Sequence, residues 1–151
     1  MGSYDDYIAI VNALKAILEA GVPELTDENG NVRIVFGEKT LESVIFTPVC
    51  FILPGAEAIE DMNFTDQIHR PEFEVMILHK GMDLDVSLDY TIQIASKAYD
   101  AIMADRTLNG TVSNLLITNC DRGGGASIPA GPNQFIHANV LSLQCEYDRQ
   151  L

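Results

Sequence analysis

The sequence predicts an α+β fold: a largely antiparallel or mixed sheet of about four to six strands with two main helices packed on it. Three observations carry this. Two stretches, one near the N-terminus and one past the middle, repeat apolar residues at steps of three and four. The segments between and after them are rich in β-branched residues and alternate in steps of two. Helical and strand patterns are also segregated along the chain, whereas a wound parallel sheet would alternate them. At 151 residues the chain reads as a single domain, 1–151, and 47% hydrophobic against 21% charged residues argues for a packed core over extensive disorder.

Taken in order, Tyr7, Val11, Leu14 and Leu18, widened by Ile10 and Ile17, predict a helix from about Tyr4 to Ala20. Ser3 or Asp5 is available as its cap, and Gly21 and Pro23 supply its stop. The polar run Thr26 to Asn31 contains Asn29-Gly30, a turn signal leading into a β-branched strand from Val32 to Phe36. Leu41 to Phe46 reads as another strand or as the run-up to the next. Pro48 and Pro54 bracket the apolar run Val49 to Leu53, and because proline cannot donate to a ladder the strand is expected to stay between them.

From Gly55 to Arg70 the chain reads as a long loop or protruding hairpin, with Ile59, Met62, Phe64 and Ile68 set among acids. Glu72 to Lys80 alternates Phe73, Val75 and Ile77 against Glu74, Met76 and Leu78, a strand buried on one face and partly covered on the other. Leu88, Ile92, Ala95, Tyr99 and Ile102 mark a second amphipathic helix from about Val86 to Ala104, capped by Asp85 or Ser87 and closed by Asn109-Gly110. Thr111 to Asn119 and Phe135 to Tyr147 read as the last two strands. In the final one Leu141, Leu143, Cys145 and Tyr147 form a core face, opposite Ser142, Gln144, Glu146 and Asp148.

Composition narrows the function classes. With 22 acidic against 9 basic residues and a net charge of −13, the surface repels nucleic acid, which disfavours base-reading or groove-binding roles. Cys50, Cys120 and Cys145 are too few and too dispersed for a zinc knuckle or a disulfide framework, so a reduced setting is the simplest reading. The first twenty residues carry acids where a signal peptide needs basic residues, and no stretch approaches the length of a membrane span.

The stretch Cys120 to Phe135, CDRGGGASIPAGPNQF, invites chemical readings. A dinucleotide fingerprint fails because Ile128 stands where the third glycine belongs and a strand follows in place of a helix. A nucleophile elbow at Ser127 fails because Pro129 replaces the closing glycine. Asp83, Asp85 and Asp89 resemble the start of a calcium loop, but Leu88 and Ile94 occupy the required glycine and bidentate glutamate positions; acids at a helix start suffice as an explanation. His79 and His137 could approach Cys120 or Cys145 if their strands pair, a metal geometry that spacing alone leaves open. The glycine-rich stretch is expected to be a long flexible connector between strands. What remains are two loops holding apolar side chains, Ile59, Met62 and Phe64 in the first and Ile128 near Phe135 in the second. With Arg33 at the sheet edge and Arg122 in the glycine-rich stretch, these are the candidate interface residues, whether the loops present a docking surface or fold back over the core.

The order of elements resembles that of the tail terminator and tail-completion proteins of long-tailed bacteriophages and the related head-tail joining proteins. The likeness rests on the helix IVNALKAILEAGVP, the strand TPVCFILPG, the loop after it, the strand EFEVMILHKG, the helix YTIQIASKAYDAIMADRTLNG and the closing strands ending VLSLQCEYD, nearly the whole chain. The resemblance implies a small structural, non-enzymatic virion subunit without cofactor or metal. It would form a homo-oligomeric ring, commonly six-fold, on the end of the tail tube, meeting the tube protein on one side and the head connector or head-completion protein on the other. Such a subunit assembles in the host cytoplasm without a membrane, and DNA passes through the ring without sequence-specific binding. A small acidic enzyme or ligand-binding domain using His79 and His137, or another virion component such as a tube subunit, are the alternative readings.

Overall fold

The computed structural model describes residues 3–26, 34–36, 48–81, 84–122, 128–131 and 134–150. Their order is α1 (Ser3–Gly21), a 3-10 turn (Pro23–Leu25), β1 (Ile34–Phe36), β2 (Val49–Asp61), β3 (Asp66–Gly81), α2 (Leu84–Ala104), β4 (Asn114–Asp121), β5 (Ile128–Gly131) and β6 (Gln134–Gln150). The fold is α+β as the patterning predicts. Among the described residues one six-stranded sheet runs β1-β2-β3-β6-β4, with β5 also on β6; of these pairings only that of β1 and β2 is parallel.

Strand periodicity decides which face is which. Phe73, Val75 and Ile77 of β3 and Leu141, Leu143, Cys145 and Tyr147 of β6 are buried on one face, where they meet Ile10, Val11, Leu14 and Leu18 of α1 and Ile94, Ala95, Ala98 and Ile102 of α2. This is the main core. On the opposite face Val49, Phe51, Leu78 and Ile136 form a smaller buried cluster, flanked by Leu53, Met76 and Ala138. β3 is therefore buried on one side and partly covered on the other, as its alternation requires.

Several expectations are corrected. α1 begins at Ser3 and α2 at Leu84, so the cap candidates Asp5, Asp85 and Ser87 stand within the first turns and not ahead of them. The buried stripe of α2 is Thr91, Ile94, Ala95, Ala98 and Ile102, while Leu88, Ile92 and Tyr99 are half-buried at its margins. Alanines at 95, 98 and 101 draw this helix close to its neighbours, and the longer side chains fill the flanks. β2 does not stop at Pro54 but continues to Asp61. Beyond Ile52 it has, among the described residues, a ladder partner only in β3, and its register shifts between Pro54 and Glu57; proline is tolerated at such an edge and bulge. Of the two readings of Gly55 to Arg70, the protruding hairpin is the one the structure shows. The glycine-rich stretch is shorter as a connector than expected, because Ile128–Gly131 pairs with the start of β6 as β5. Residues 123–127, the Asn29-Gly30 turn, Arg33 and the segment 41–46 lie outside the described residues.

After α2 the chain reverses through Leu108, Asn109 and Gly110, all with positive φ (50°, 56° and 81°). The Asn109-Gly110 exit is as read from sequence. Leu108 accepts a conformation unusual for a branched side chain because it is buried in the core, and Asp105 holds the turn by accepting the Asn109 N–H at 2.8 Å.

Candidate interaction arm

Residues 56–71 of the β2–β3 hairpin and the last residues of β6 form one three-stranded arm, exposed through the hairpin from 54 to 65. A line of irregularities crosses the sheet where the arm leaves the body. On one side is the β2 register shift after Pro54. Gly55 belongs to it, since a Cβ there would lie 3.1 Å from the Glu72 carbonyl oxygen. On the other, the β3–β6 ladder runs to His69 opposite Tyr147 and resumes at Glu72 opposite Gln144, passing over Arg70 and the donorless Pro71.

Below this line, on the helix side, a polar cluster ties arm to body. His69, only 2% exposed, stacks on Tyr147 with ring centroids 4.9 Å apart. Its Nδ1 lies 3.1 Å from Glu57 Oε1 and its Nε2 3.1 Å from Gln67 Oε1. The Tyr147 hydroxyl donates to the same Glu57 oxygen at 3.2 Å. Burial, then the nearby Glu57 carboxylate, raises the Tyr147 phenol far above its ordinary value and raises that of Tyr7 on α1, so both stay neutral. Tyr7 packs on Phe73 at 5.1 Å, extending the contact into α1. On the opposite face the Arg70 guanidinium bridges all three strands, donating from Nη1 to Glu60 at 2.9 Å and from Nε to Glu146 at 3.1 Å. These two carboxylates raise the Arg70 pKa, and the side chain keeps its charge.

The tip is built as tightly. Asn63 Oδ1 accepts from Thr65 N, Thr65 Oγ1 and Asp66 N at 2.8 to 2.9 Å, while its Nδ2 donates to Asp66 Oδ2 at 3.0 Å. Met62 N donates to Asp66 O at 3.1 Å, and Gln67 Nε2 to Asp61 Oδ1 at 2.8 Å. This side-chain-closed turn leaves Phe64 100% exposed and Met62 55% exposed, beside an open recess of about 410 Å³ lined by Asp61, Met62, Asn63 and Phe64. Ile59, 57% exposed, follows on β2.

The remaining candidates lie elsewhere. Arg122 is half-buried against α2, its Nη1 3.4 Å from Ser96 Oγ, and does not reach the arm. Ile128 and Phe135 sit in the β5–β6 pairing at the other end of β6, roughly 40 Å from the arm along the strand, so the two groups of candidates are separate along the chain. Arg33 lies outside the described residues. His79 and His137 do face each other across β3 and β6 on the helix side, with Tyr90 edge-on to His79 at 4.8 Å. Burial and the neighbouring His137 hold His79 below the usual histidine range. Neither cysteine joins them: Cys120 pairs opposite Leu141 and Cys145 opposite Leu115, four and eight residues along β6 from His137. Burial pushes the Cys50 and Cys145 thiols up to about 12, which leaves them protonated. Among the described residues no group of three metal-ligating side chains assembles.

Glu57, His69, Arg70 and Tyr147 were not among the sequence candidates. The hairpin reading of Gly55 to Arg70, once centred on Asn63 to Asp66, sets Ile59 opposite His69 and brings Glu57 to the base; what the prolines obscured is that β2 and β3 run on through them. A scan against models of known protein families finds no match, and neither does a search of curated proteins.

Proposed function

We propose that the protein is a structural subunit of the neck or tail terminus of a long-tailed bacteriophage, closing into a ring on the tail tube, stopping its growth and joining tail to head. The supporting resemblance is in element order. The observation that carries an interface role is the arm: a three-stranded projection, tied at its base and closed at its tip, that holds Phe64 and Met62 in solvent. A rigid display of apolar side chains suits docking, because little ordering remains to be done on contact. The partners in this reading are further copies of the chain, the tail tube protein and the head connector. The acidic wall lets DNA slide past without adhering.

Light scattering on a sizing column, with electron microscopy of the protein mixed with tail tubes, tests the reading. Closed rings or capped tubes are expected. Open stacks would indicate a tube subunit, and a strict monomer that leaves tubes uncapped would refute the proposal.

A second reading, a ligand-binding domain, is favoured by one feature. Asn139, 1% exposed and next but one to His137 on β6, has no hydrogen-bond partner for Nδ2 or Oδ1 among the described residues. A thermal-shift screen of nucleotides, sugars and divalent metals tests it: a rise in Tm that Asn139→Leu abolishes would favour it over the first.

A further inference from the structure

We propose that the arm tip is a plug for an apolar socket rimmed by lysine and arginine on a different protein, and that it does not dock on a second copy of this chain. The inference rests on the interface reading above but not on the phage assignment.

The first argument is exposure combined with order. Phe64 is entirely in solvent and Met62 more than half, yet the turn beneath them is closed by four hydrogen bonds from and to the Asn63 side chain. A tip that folded back over the core would bury these residues; this one holds them out. Aromatic anchors entering a pocket are what dominate binding at interfaces.

The second argument is charge. The arm, taken as 56–71 with 145–150, contains Glu57, Glu60, Asp61, Asp66, Glu146 and Asp148 against Arg70 and Arg149, a net charge of −4. Arg70 is already engaged by Glu60 and Glu146. Asp61 and Asp66 flank the apolar residues directly, with Asp61 lining the same recess as Phe64. A second copy of a chain with net charge −13 meets this rim with like charge, and anionic lipid or nucleic acid is disfavoured in the same way. A socket with basic residues around an apolar floor satisfies both parts, since rim charges steer encounter while Phe64 supplies the anchor.

The test uses the full chain, labelled with nitrogen-15, and three synthetic seven-residue probes: one alternating lysine with paired leucines, one with serine in place of lysine, and one with serine in place of leucine. The basic apolar probe is expected to shift amide signals of residues 60–68, to weaken in about 0.5 M salt, and to lose about thirtyfold in affinity in Phe64→Ser. Phe64 is wholly exposed, so this variant keeps the fold, which circular dichroism verifies. Equal binding of either serine probe, or shifts located away from the tip, overturns the proposal. Sedimentation of wild type and Phe64→Ser supplies the second arm. Unchanged oligomeric state is expected, and dissolution of an oligomer by the substitution would mean that the tip binds its own kind. Rings that persist in Phe64→Ser leave both proposals standing; rings that vanish remove the plug alone; plug binding without rings or capped tubes removes the phage assignment alone.

Discussion

Asn139 is a polar side chain placed where the sheet has least use for one. It sits opposite Ile77 on the helix side of β6, in line with Leu141 and Leu143, and its amide is buried without a partner among the described residues. Burying an amide unpaired costs about 1–3 kcal/mol. Asn139→Leu is therefore expected to stabilise the protein by about 1–2 kcal/mol in urea denaturation, and a loss of stability would show that the amide has a use in the folded chain. Two residues along β3 from Ile77, the depressed pKa of His79 makes a pH prediction. The folded state disfavours the imidazolium, so it binds fewer protons than the unfolded chain between the folded pKa and the ordinary value near 6.5. The stability this contributes is complete above 6.5 and lost as pH falls through the folded pKa. Tm is expected to fall on acidification from neutrality, before the carboxylates titrate, and His79→Gln to flatten that fall. His137 opposite and Tyr90 from α2 face the same ring, so the substitution is best compared with His137→Gln.

At the scale of elements, the contact between the two helices is set by Gly21. A Cβ at that position would lie 2.5 Å from Ala101 Cβ, and Lys97 of α2 reaches Glu24 in the turn just beyond. Gly21→Ala is expected to destabilise by about 1–3 kcal/mol despite alanine's better helix propensity, because α1 must back away from α2; equilibrium unfolding checks the sign. What could be read from sequence follows the same logic of local against distant causes. The main face of α1 and both faces of β3 and β6 were legible, because each is a periodic pattern that one core imposes. The face of α2 was read partly out of phase: Ala95 and Ile102 were placed correctly, but Thr91 and Ala98 carry less apolar signal than the larger Leu88, Ile92 and Tyr99 at its edges. The protruding hairpin was legible as one of two readings, but its continuity with β2 and β3 was obscured by Pro54 and Pro71. Proline ends a strand only if its missing N–H was needed, and here one lies at an edge beside a register shift and the other where the ladder is interrupted. The tip residues Ile59, Met62 and Phe64 could be picked out as apolar groups among acids, but their exposure depends on hydrogen bonds around Asn63 that composition does not reveal.

For the whole molecule, the two groups of candidates named from sequence fall at opposite ends of β6 along the strand. The arm also leaves β2 from Pro54 to Asp61 with β3 as its one ladder partner among the described residues, and beyond Glu146 β6 likewise pairs only with β3. Open strand edges are templates for runaway pairing, and charge is one of the ordinary means by which proteins keep them apart. Here the protection is mostly carboxylate and thus conditional on pH. Near the isoelectric point of about 4.3 the acids of neighbouring arms no longer repel, and the chain is expected to grow thioflavin-positive fibres that neutral buffer suppresses. The acids around the tip would then have a second duty that begins at synthesis: holding each free chain in solution, and out of β-stacks, until a partner takes up its arm.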